Sequence, residues 1–306
     1  MALYIPSINI ALRNIIEAYI TEDYGKIKET MDYVVNTPTI AGSENDYHNA
    51  SVELVRFEDY HNAVLLLQHG LERYGNSTDI LADLLLYGLK CRKSGEIKDY
   101  YFKRLSKISK RFWSWRAFSF SIDFLMNYIQ YAENKEQEDY IVNEIEGLIA
   151  DYKQYMPNDE RAYMSEYEFY ELISKHTLAE KALKTAIEKL TICSQCALKY
   201  ADILFEQGNF REVIPLAERI TRIVEAQPSV NIGYVYYILA LSKEAILRDS
   251  GNKLTADNVK PIFDAYYCAL ENLDDNQNTL ILEIYKRVIV LERISGVQSG
   301  INSKEE

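Results

Sequence analysis

The chain has 306 residues with a formal net charge of −12, and 48% of its residues are hydrophobic. This hydrophobic fraction excludes an intrinsically disordered chain, and the negative charge disfavours nucleic acid and anionic membranes as partners. Only 12 glycines and 6 prolines are present. Sheet proteins need both residue types in their turns, so the composition indicates a helical fold.

Apolar residues recur at intervals of three and four along the chain, which predicts amphipathic helices. Ser7 precedes the first of them and fits a helix N-cap. In chain order the predicted helices are 8–21, 24–36, 43–57, 60–74, 78–93, 96–110, 114–133, 137–155, 159–175, 178–191, 194–207, 210–226, 231–248, 257–273 and 277–295.

The turns between these helices repeat at a nearly constant interval. An acidic or amide residue followed by an aromatic one marks Asp23–Tyr24, Asp59–Tyr60 and Asn209–Phe210, and the first two of these turns are 36 residues apart. Two helices in a period of about 35 residues are typical of stacked helical hairpins. One hairpin cannot bury both its faces, so we expect a single continuous domain over 1–295 and a disordered tail over 296–306.

Two stretches carry a family resemblance. Ala63 and Gly70, which follow the aromatic Tyr60, match the small positions of a tetratricopeptide repeat, and Gly88 and Gly95 match its two glycine positions. Small side chains let the helices of a hairpin approach closely. The chain thus resembles the tetratricopeptide-repeat (TPR) family. The resemblance implies an all-α fold, a right-handed α-solenoid of about seven antiparallel helical hairpins plus a terminal helix.

The resemblance also implies a protein or peptide partner, bound in the groove that the first helix of each hairpin lines. Family members that hold a partner's terminal carboxylate use Lys, Arg and Asn, whereas Leu89 and Asp202 stand at the matching places here. We therefore expect an extended or helical peptide in the groove. The predicted groove residues are Leu85, Leu89, Arg92, Lys93, Gln195, Asp202, Phe205 and Glu206.

The segment 91–116 is basic within an acidic chain, with nine Lys or Arg and two acidic residues. On a helix its apolar residues Ile97, Tyr101, Leu105, Ile108 and Phe112 would face the core. The basic patch comprises Lys103, Arg104, Lys107, Lys110, Arg111, Trp113 and Trp115. It fits docking of an acidic partner, a phosphorylated ligand or nucleic acid, or of a second copy in a homo-oligomer. The other interpretation is a solvated helix face paired with acidic neighbours.

No catalytic motif is present in the sequence: it has no P-loop, dinucleotide-binding glycine motif, zinc-protease motif or hydrolase nucleophile elbow. The four histidines are scattered along the chain, which leaves a catalytic site built from carboxylates as the alternative. Cys193 and Cys196 form one C-x-x-C motif without a second ligand pair, so we expect two packed thiols and no metal. These features predict a non-enzymatic interaction module, an adaptor or scaffold, without a cofactor. The alternative is a regulatory or sensor protein that acts through 91–116.

The sequence also favours a cytoplasmic location. Its first residues lack the basic flank and the continuous apolar stretch of a signal peptide. No apolar run approaches the roughly 18 residues that a membrane-spanning helix requires. Four cysteines are too few for a disulfide scaffold of this size.

Overall fold

A computed structural model describes residues 5–91, 97–224, 230–251 and 254–301, and these residues are predominantly α-helical without a β-strand. The α-helices are α1 (Ile8–Ile20), α2 (Tyr24–Val35), α3 (Glu44–Arg56), α4 (Tyr60–Arg73), α5 (Thr78–Lys90), α6 (Lys103–Ser106), α7 (Trp115–Tyr128), α8 (Lys135–Tyr155), α9 (Glu160–Leu172), α10 (His176–Lys189), α11 (Gln195–Glu206), α12 (Phe210–Val224), α13 (Ile232–Asp249), α14 (Ala256–Asn272) and α15 (Asn278–Ser295). None of these helices combines the length and apolar character that a bilayer crossing requires.

Side-chain caps begin several helices where the sequence places Ser or Asp before an apolar periodic run. Ser7 Oγ accepts a hydrogen bond from the Ile10 amide at 3.3 Å, which confirms the predicted first cap. Asp23 and Asp59 stand in the two repeated turns, and each accepts a hydrogen bond from the amide three residues on, at 3.0 and 3.1 Å. The repeated turn sequence therefore has a repeated structural role.

The same backbone conformation ends the first helix in four of the hairpins. The residue before the turn has a positive φ in each case, and the amide that follows it donates to the carbonyl five residues back, at 2.8–3.0 Å. This is the left-handed C-cap that closes many helices. The four residues are Glu22 (φ 55°), Glu58 (φ 60°), Ser174 (φ 59°) and Gly208 (φ 76°).

The described chain divides into two compact units, Met1–Ser165 and Glu166–Glu306. In unit 1, α1 packs on α2 and α3 on α4, while α5 packs on the segment Ile97–Phe102 and α7 on α8. The first helices of these hairpins, α1, α3, α5 and α7, are also neighbours in sequence order. Unit 1 is thus a row of helical hairpins whose first helices lie side by side.

Two glycines of unit 1 show why small residues are needed at the hairpin crossings. A Cβ on Gly70 would lie 2.9 Å from the buried ring of Tyr47, and a Cβ on Gly88 would lie 2.7 Å from Ile97 Cδ1. Real Cβ atoms do not approach other atoms so closely, so a side chain at either position would force Tyr47 or Ile97 to shift. The close approach expected from the sequence at Gly70 and Gly88 is confirmed, and Gly95 lies outside the described residues.

In unit 2 each helix from α10 to α15 packs on the next one along the chain. Large aromatic side chains such as Tyr266 fill the spaces between these helices, and the thiols of Cys193 and Cys196 are both buried. The all-α class and the helical-hairpin architecture are therefore confirmed. A single domain over 1–295 and a disordered tail over 296–306 stay predictions.

The predicted continuous helix over 96–110 is wrong. Ile97–Phe102 forms a π-helical turn that leads into the short α6, the chain then leaves the helix at 107–109, and Lys110–Phe112 forms a 3₁₀ turn. Ile97 and Leu105 are buried as predicted, whereas Phe112 is 61% exposed. Phe112 misses the core because residues beyond the break no longer follow the 100° spacing of one helix.

Candidate functional site

Three polar pairs bridge the neighbouring first helices of unit 1, and we call them the polar ladder. Asn9 on α1 pairs with Asp46 on α3 at 3.0 Å. His48 on α3 pairs with Asp83 on α5 at 2.7 Å, and Arg116 on α7 pairs with Asp79 on α5 at 3.1 Å.

The sequence contains a pattern that indicates the polar ladder, although the sequence analysis did not identify these pairs. Its partners are separated by 35 to 37 residues, which is one hairpin period. Complementary polar residues one period apart on successive first helices would have identified the pairs.

Asp83, at the centre of the polar ladder, is fully buried. Its Oδ2 lies 2.7 Å from His48 Nδ1, whereas Oδ1 has no hydrogen-bond partner among the residues that the structure describes. The Nε of Arg116 is likewise buried without a partner in that part of the chain. Burial raises the pKa of Asp83, and the hydrogen bond with His48 opposes the rise. An unsatisfied buried group is rare and costs about 1–3 kcal/mol, so the centre of the ladder is not optimised for stability.

The predicted groove residues of α5 do not form one surface. Leu85 is fully buried, a position that offers no surface to a partner, because it lies on the side of α5 that packs against neighbouring helices. Leu89 is half-buried, and Arg92 and Lys93 lie outside the described residues. The exposure of α5 instead lies on the face that carries Asp79, where the half-buried Leu86 and the exposed Lys90 follow at helical spacing; Asp83, on the same face, is itself buried.

The predicted groove residues of α11, in unit 2, all retain some exposure. Glu206 is exposed, while Gln195, Asp202 and Phe205 are half-buried. Asp202 accepts a hydrogen bond from the Tyr234 hydroxyl on α13 at 3.1 Å. Burial raises the pKa of Asp202, and burial with the nearby Asp202 charge raises the pKa of Tyr234 to about 12. The pair joins two first helices of unit 2 in the manner of the polar ladder.

The cations of the basic patch fall into two groups. Lys103, Lys107 and Arg111 are exposed. The Arg104 guanidinium donates a hydrogen bond to the Gly75 carbonyl oxygen. Lys110 Nζ lies 3.1 Å from the centroid of a tryptophan ring, and burial lowers the pKa of Lys110 to about 8. Lys103, Lys107 and Arg111 are therefore open to a partner, and Lys110 serves a contact within the chain. Arg104 is held by the chain but keeps N–H groups that can still donate.

The two tryptophans of the basic patch also differ. Trp113 is only 3% exposed, and its Nε1 donates to the Ile108 carbonyl oxygen at 3.1 Å, so its ring belongs to the core. Trp115 is 36% exposed, but the guanidinium carbon of Arg161 lies 3.9 Å from the centroid of its ring. The most exposed aromatic residue here is Phe112, which the sequence had placed in the core.

No protein-family model matches the sequence, and no curated protein sequence matches it. Among solved structures, a thermophilic TPR protein of Thermus thermophilus is similar to this chain, with a TM-score of 0.46 and 16% sequence identity. The similarity covers 67% of this chain and 100% of that one. At this level it carries no argument about function, and the hairpin architecture rests on the helix pairing within each unit.

Proposed function

We propose that the protein is a non-enzymatic interaction module, an adaptor or scaffold, which binds a segment of a protein partner across the first helices of its hairpins. The polar ladder of unit 1 is the observation that supports this proposal. Its members His48, Asp79 and Arg116 keep 20%, 34% and 18% of their side-chain surface exposed. They are fixed by their pairing and still reach solvent, so a partner can bind them without a large loss of side-chain entropy.

The chemistry of this face suits a peptide. Histidine, aspartate and arginine together offer donors and acceptors to the amide and carbonyl groups of an extended segment. Leu86 and Lys90 add an apolar and a charged contact on the same side of α5. A mixed face of this kind recognises a defined sequence better than a uniformly charged face does, because apolar and polar positions must both match.

Site-specific photo-crosslinking tests the proposed face. A benzophenone amino acid at Leu86 probes the open side of α5, and the same group at Tyr140, a 63% exposed residue of α8, is the matched control. We expect one discrete protein adduct from Leu86 in the native lysate, which an excess of unlabelled full-length protein competes away. Equal adducts from both positions, or an adduct from Tyr140 alone, would contradict binding at the first helices.

A second candidate function is regulatory or sensory, through the basic segment 91–116. It is supported by Lys103, Lys107 and Arg111, which have no carboxylate partner among the residues that the structure describes. Changing the three to Glu separates the two functions. A partner that survives both this change and high salt supports binding at the first helices. A partner lost under both conditions supports the basic segment.

The same three cations are also the contact that we propose for a homo-oligomer, with the acidic surface of a second copy as their target. Sedimentation of the wild type and of the triple Glu variant at micromolar concentration tests this arrangement. A wild-type monomer would contradict it.

A further inference from the structure

A cavity of about 580 Å³, wide open to solvent, lies in unit 1 between the start of α5 and the break at 107–109. This volume lies within the usual range for small-ligand pockets, roughly 300–1,000 Å³. The cavity belongs neither to the polar ladder nor to the predicted groove. Its lining includes Glu44, Thr78, Arg104, Lys107, Ser109 and Phe112.

Arg104 is held in place at this cavity. Its Nη2 donates to the Gly75 carbonyl oxygen, and its Nη1 donates to the Tyr100 hydroxyl at 3.4 Å. No ion pair joins Arg104 to a carboxylate within the described residues. One N–H on each of the three guanidinium nitrogens remains, and these donors are oriented before an oxyanion arrives.

Lys107 supplies a second positive charge to the cavity. Its side chain is exposed, and it has neither a hydrogen bond nor an ion pair within the part of the chain that the structure describes. Arg104 and Lys107 thus place two positive charges in the lining, against the one negative charge of Glu44.

The other residues that line the cavity restrict which class of anion it can bind. Glu44 places a carboxylate in the lining, which disfavours a polyphosphate or a nucleic-acid backbone and accepts hydrogen bonds from a ligand's hydroxyl or amide groups. The hydroxyls of Thr78 and Ser109 offer further polar contacts, and Phe112 offers an exposed ring. The lining thus suits one compact anionic group on a polar body.

We propose that this cavity binds a phosphate monoester, with Arg104 and Lys107 contacting the phosphate oxygens and Glu44 accepting hydrogen bonds from the rest of the ligand. A phosphorylated serine of a protein and a free phosphorylated small molecule share this chemistry. The proposal goes beyond binding at the first helices, because none of its residues belongs to the polar ladder. It rests on the second candidate function and narrows it to two residues of the basic patch, Arg104 and Lys107, without a part for Lys103 or Arg111.

Isothermal titration of the full-length chain tests the proposal with three probes: inorganic phosphate, O-phosphoserine and a peptide with one phosphoserine. We expect binding of at least one monoester, weakened about tenfold or more in Lys107→Gln, because a hydrogen bond to a charged group is lost. The matched control is Lys103→Gln, which removes an equally exposed cation that does not line the cavity and should change affinity less than about twofold. Tight binding of the peptide alone identifies a protein source, and tight binding of O-phosphoserine identifies a small-molecule source.

Two results would overturn the phosphate site. One is equal weakening by Lys107→Gln and Lys103→Gln, which would show a diffuse positive field instead of a pocket. The other is the absence of measurable heat for all three probes at millimolar concentration. The Leu86 crosslinking experiment is repeated in the Lys107→Gln variant to separate this proposal from binding at the first helices. A loss of phosphate binding should leave the Leu86 adduct unchanged.

Discussion

Asp83 Oδ2 lies 2.7 Å from Nδ1 of His48, while the other oxygen of the same buried carboxylate has no partner within the described residues. The carboxylate is thus paired with a neighbouring first helix through one oxygen only, and this pairing joins α3 to α5.

The first prediction concerns the pH dependence of stability at Asp83. Burial raises the pKa of this carboxyl, so the folded chain binds its proton more tightly than the unfolded chain. The free energy of unfolding therefore falls as pH rises from the unfolded pKa, about 4, toward the raised folded value. Asp83→Asn removes this titration. We expect the urea midpoint of Asp83→Asn minus that of the wild type to increase as pH rises from about 4 toward the raised folded pKa.

The control for this experiment is Asp79→Asn, which removes the ion pair with Arg116 on the same helix. Its midpoint at neutral pH should be lower than that of the wild type. A midpoint difference between Asp83→Asn and wild type that stays flat from pH 4 to 7 would show that Asp83 titrates alike in both states.

The second prediction concerns Gly233 at the crossing of α13 and α14. A Cβ there would lie 2.8 Å from the backbone carbonyl carbon and oxygen of Asn272. Backbone atoms cannot give way as a flexible side chain can, so Gly233→Ala should lower the free energy of unfolding by about 1–3 kcal/mol or more. Urea denaturation measures the loss.

Gly147 is the matched control for Gly233→Ala, because it lies in α8 with nothing within 4 Å of an added Cβ. Gly147→Ala should raise the free energy of unfolding by about 0.5–1 kcal/mol through helix propensity alone. Two alanine variants with equal midpoints would refute the close contact at Gly233.

The third prediction uses the repeated left-handed turn. Glu58 has a φ of 60°, a conformation that disfavours residues with a Cβ by about 1–2 kcal/mol. Glu58→Gly relieves this strain but makes the unfolded chain more flexible, so a net gain below about 1 kcal/mol is expected. The reverse change, Gly208→Ala at a φ of 76°, should destabilise the chain by about 1 kcal/mol. Changes of the same sign in the two variants would count against a shared turn.

The fourth prediction concerns a buried hydrogen bond in unit 2. The Tyr266 hydroxyl donates to Glu244 Oε2 at 2.7 Å, and Tyr266 is fully buried. Tyr266→Phe leaves that oxygen with Arg287 at 3.5 Å, so the free energy of unfolding should fall by about 1–3 kcal/mol. Tyr267 is 49% exposed, and Tyr267→Phe should stay within about 0.5 kcal/mol of wild type. Equal losses in the two variants would exclude a special role for the Tyr266 hydroxyl.

Most helices could be predicted from the sequence because their determinants are local. Apolar spacing places each helix, and a cap such as Ser7 or Asp59 fixes where it begins. The segment 96–110 has the same apolar spacing, yet it contains a π-helical turn and a break. Trp113 Nε1 donates to the Ile108 carbonyl at 3.1 Å across the break, and the Trp113 ring packs on Phe118 of α7 with 5.1 Å between the ring centroids. Periodicity within one helix cannot represent such a contact.

The candidate site was less predictable because its chemistry belongs to pairs of helices. From the sequence, Lys110 and Arg104 are expected to be free cations. The structure shows that Lys110 lies over the Trp113 ring and that Arg104 donates to the Gly75 carbonyl oxygen. The burial of Leu85 depends in the same way on the helices packed around α5. Whether such a side chain is free or buried depends on how two helices pack, so it cannot be predicted from the sequence of either helix alone.

The recurring left-handed turn has a consequence for how the chain acquires its structure. Each turn closes with hydrogen bonds between residues at most five apart, so a hairpin can form before distant parts of the chain meet. Contacts of short sequence separation are fast to make, and an array of such hairpins can nucleate at more than one point. A nascent chain emerging from the ribosome can therefore begin to order the hairpin 8–35 before the residues that follow it are translated.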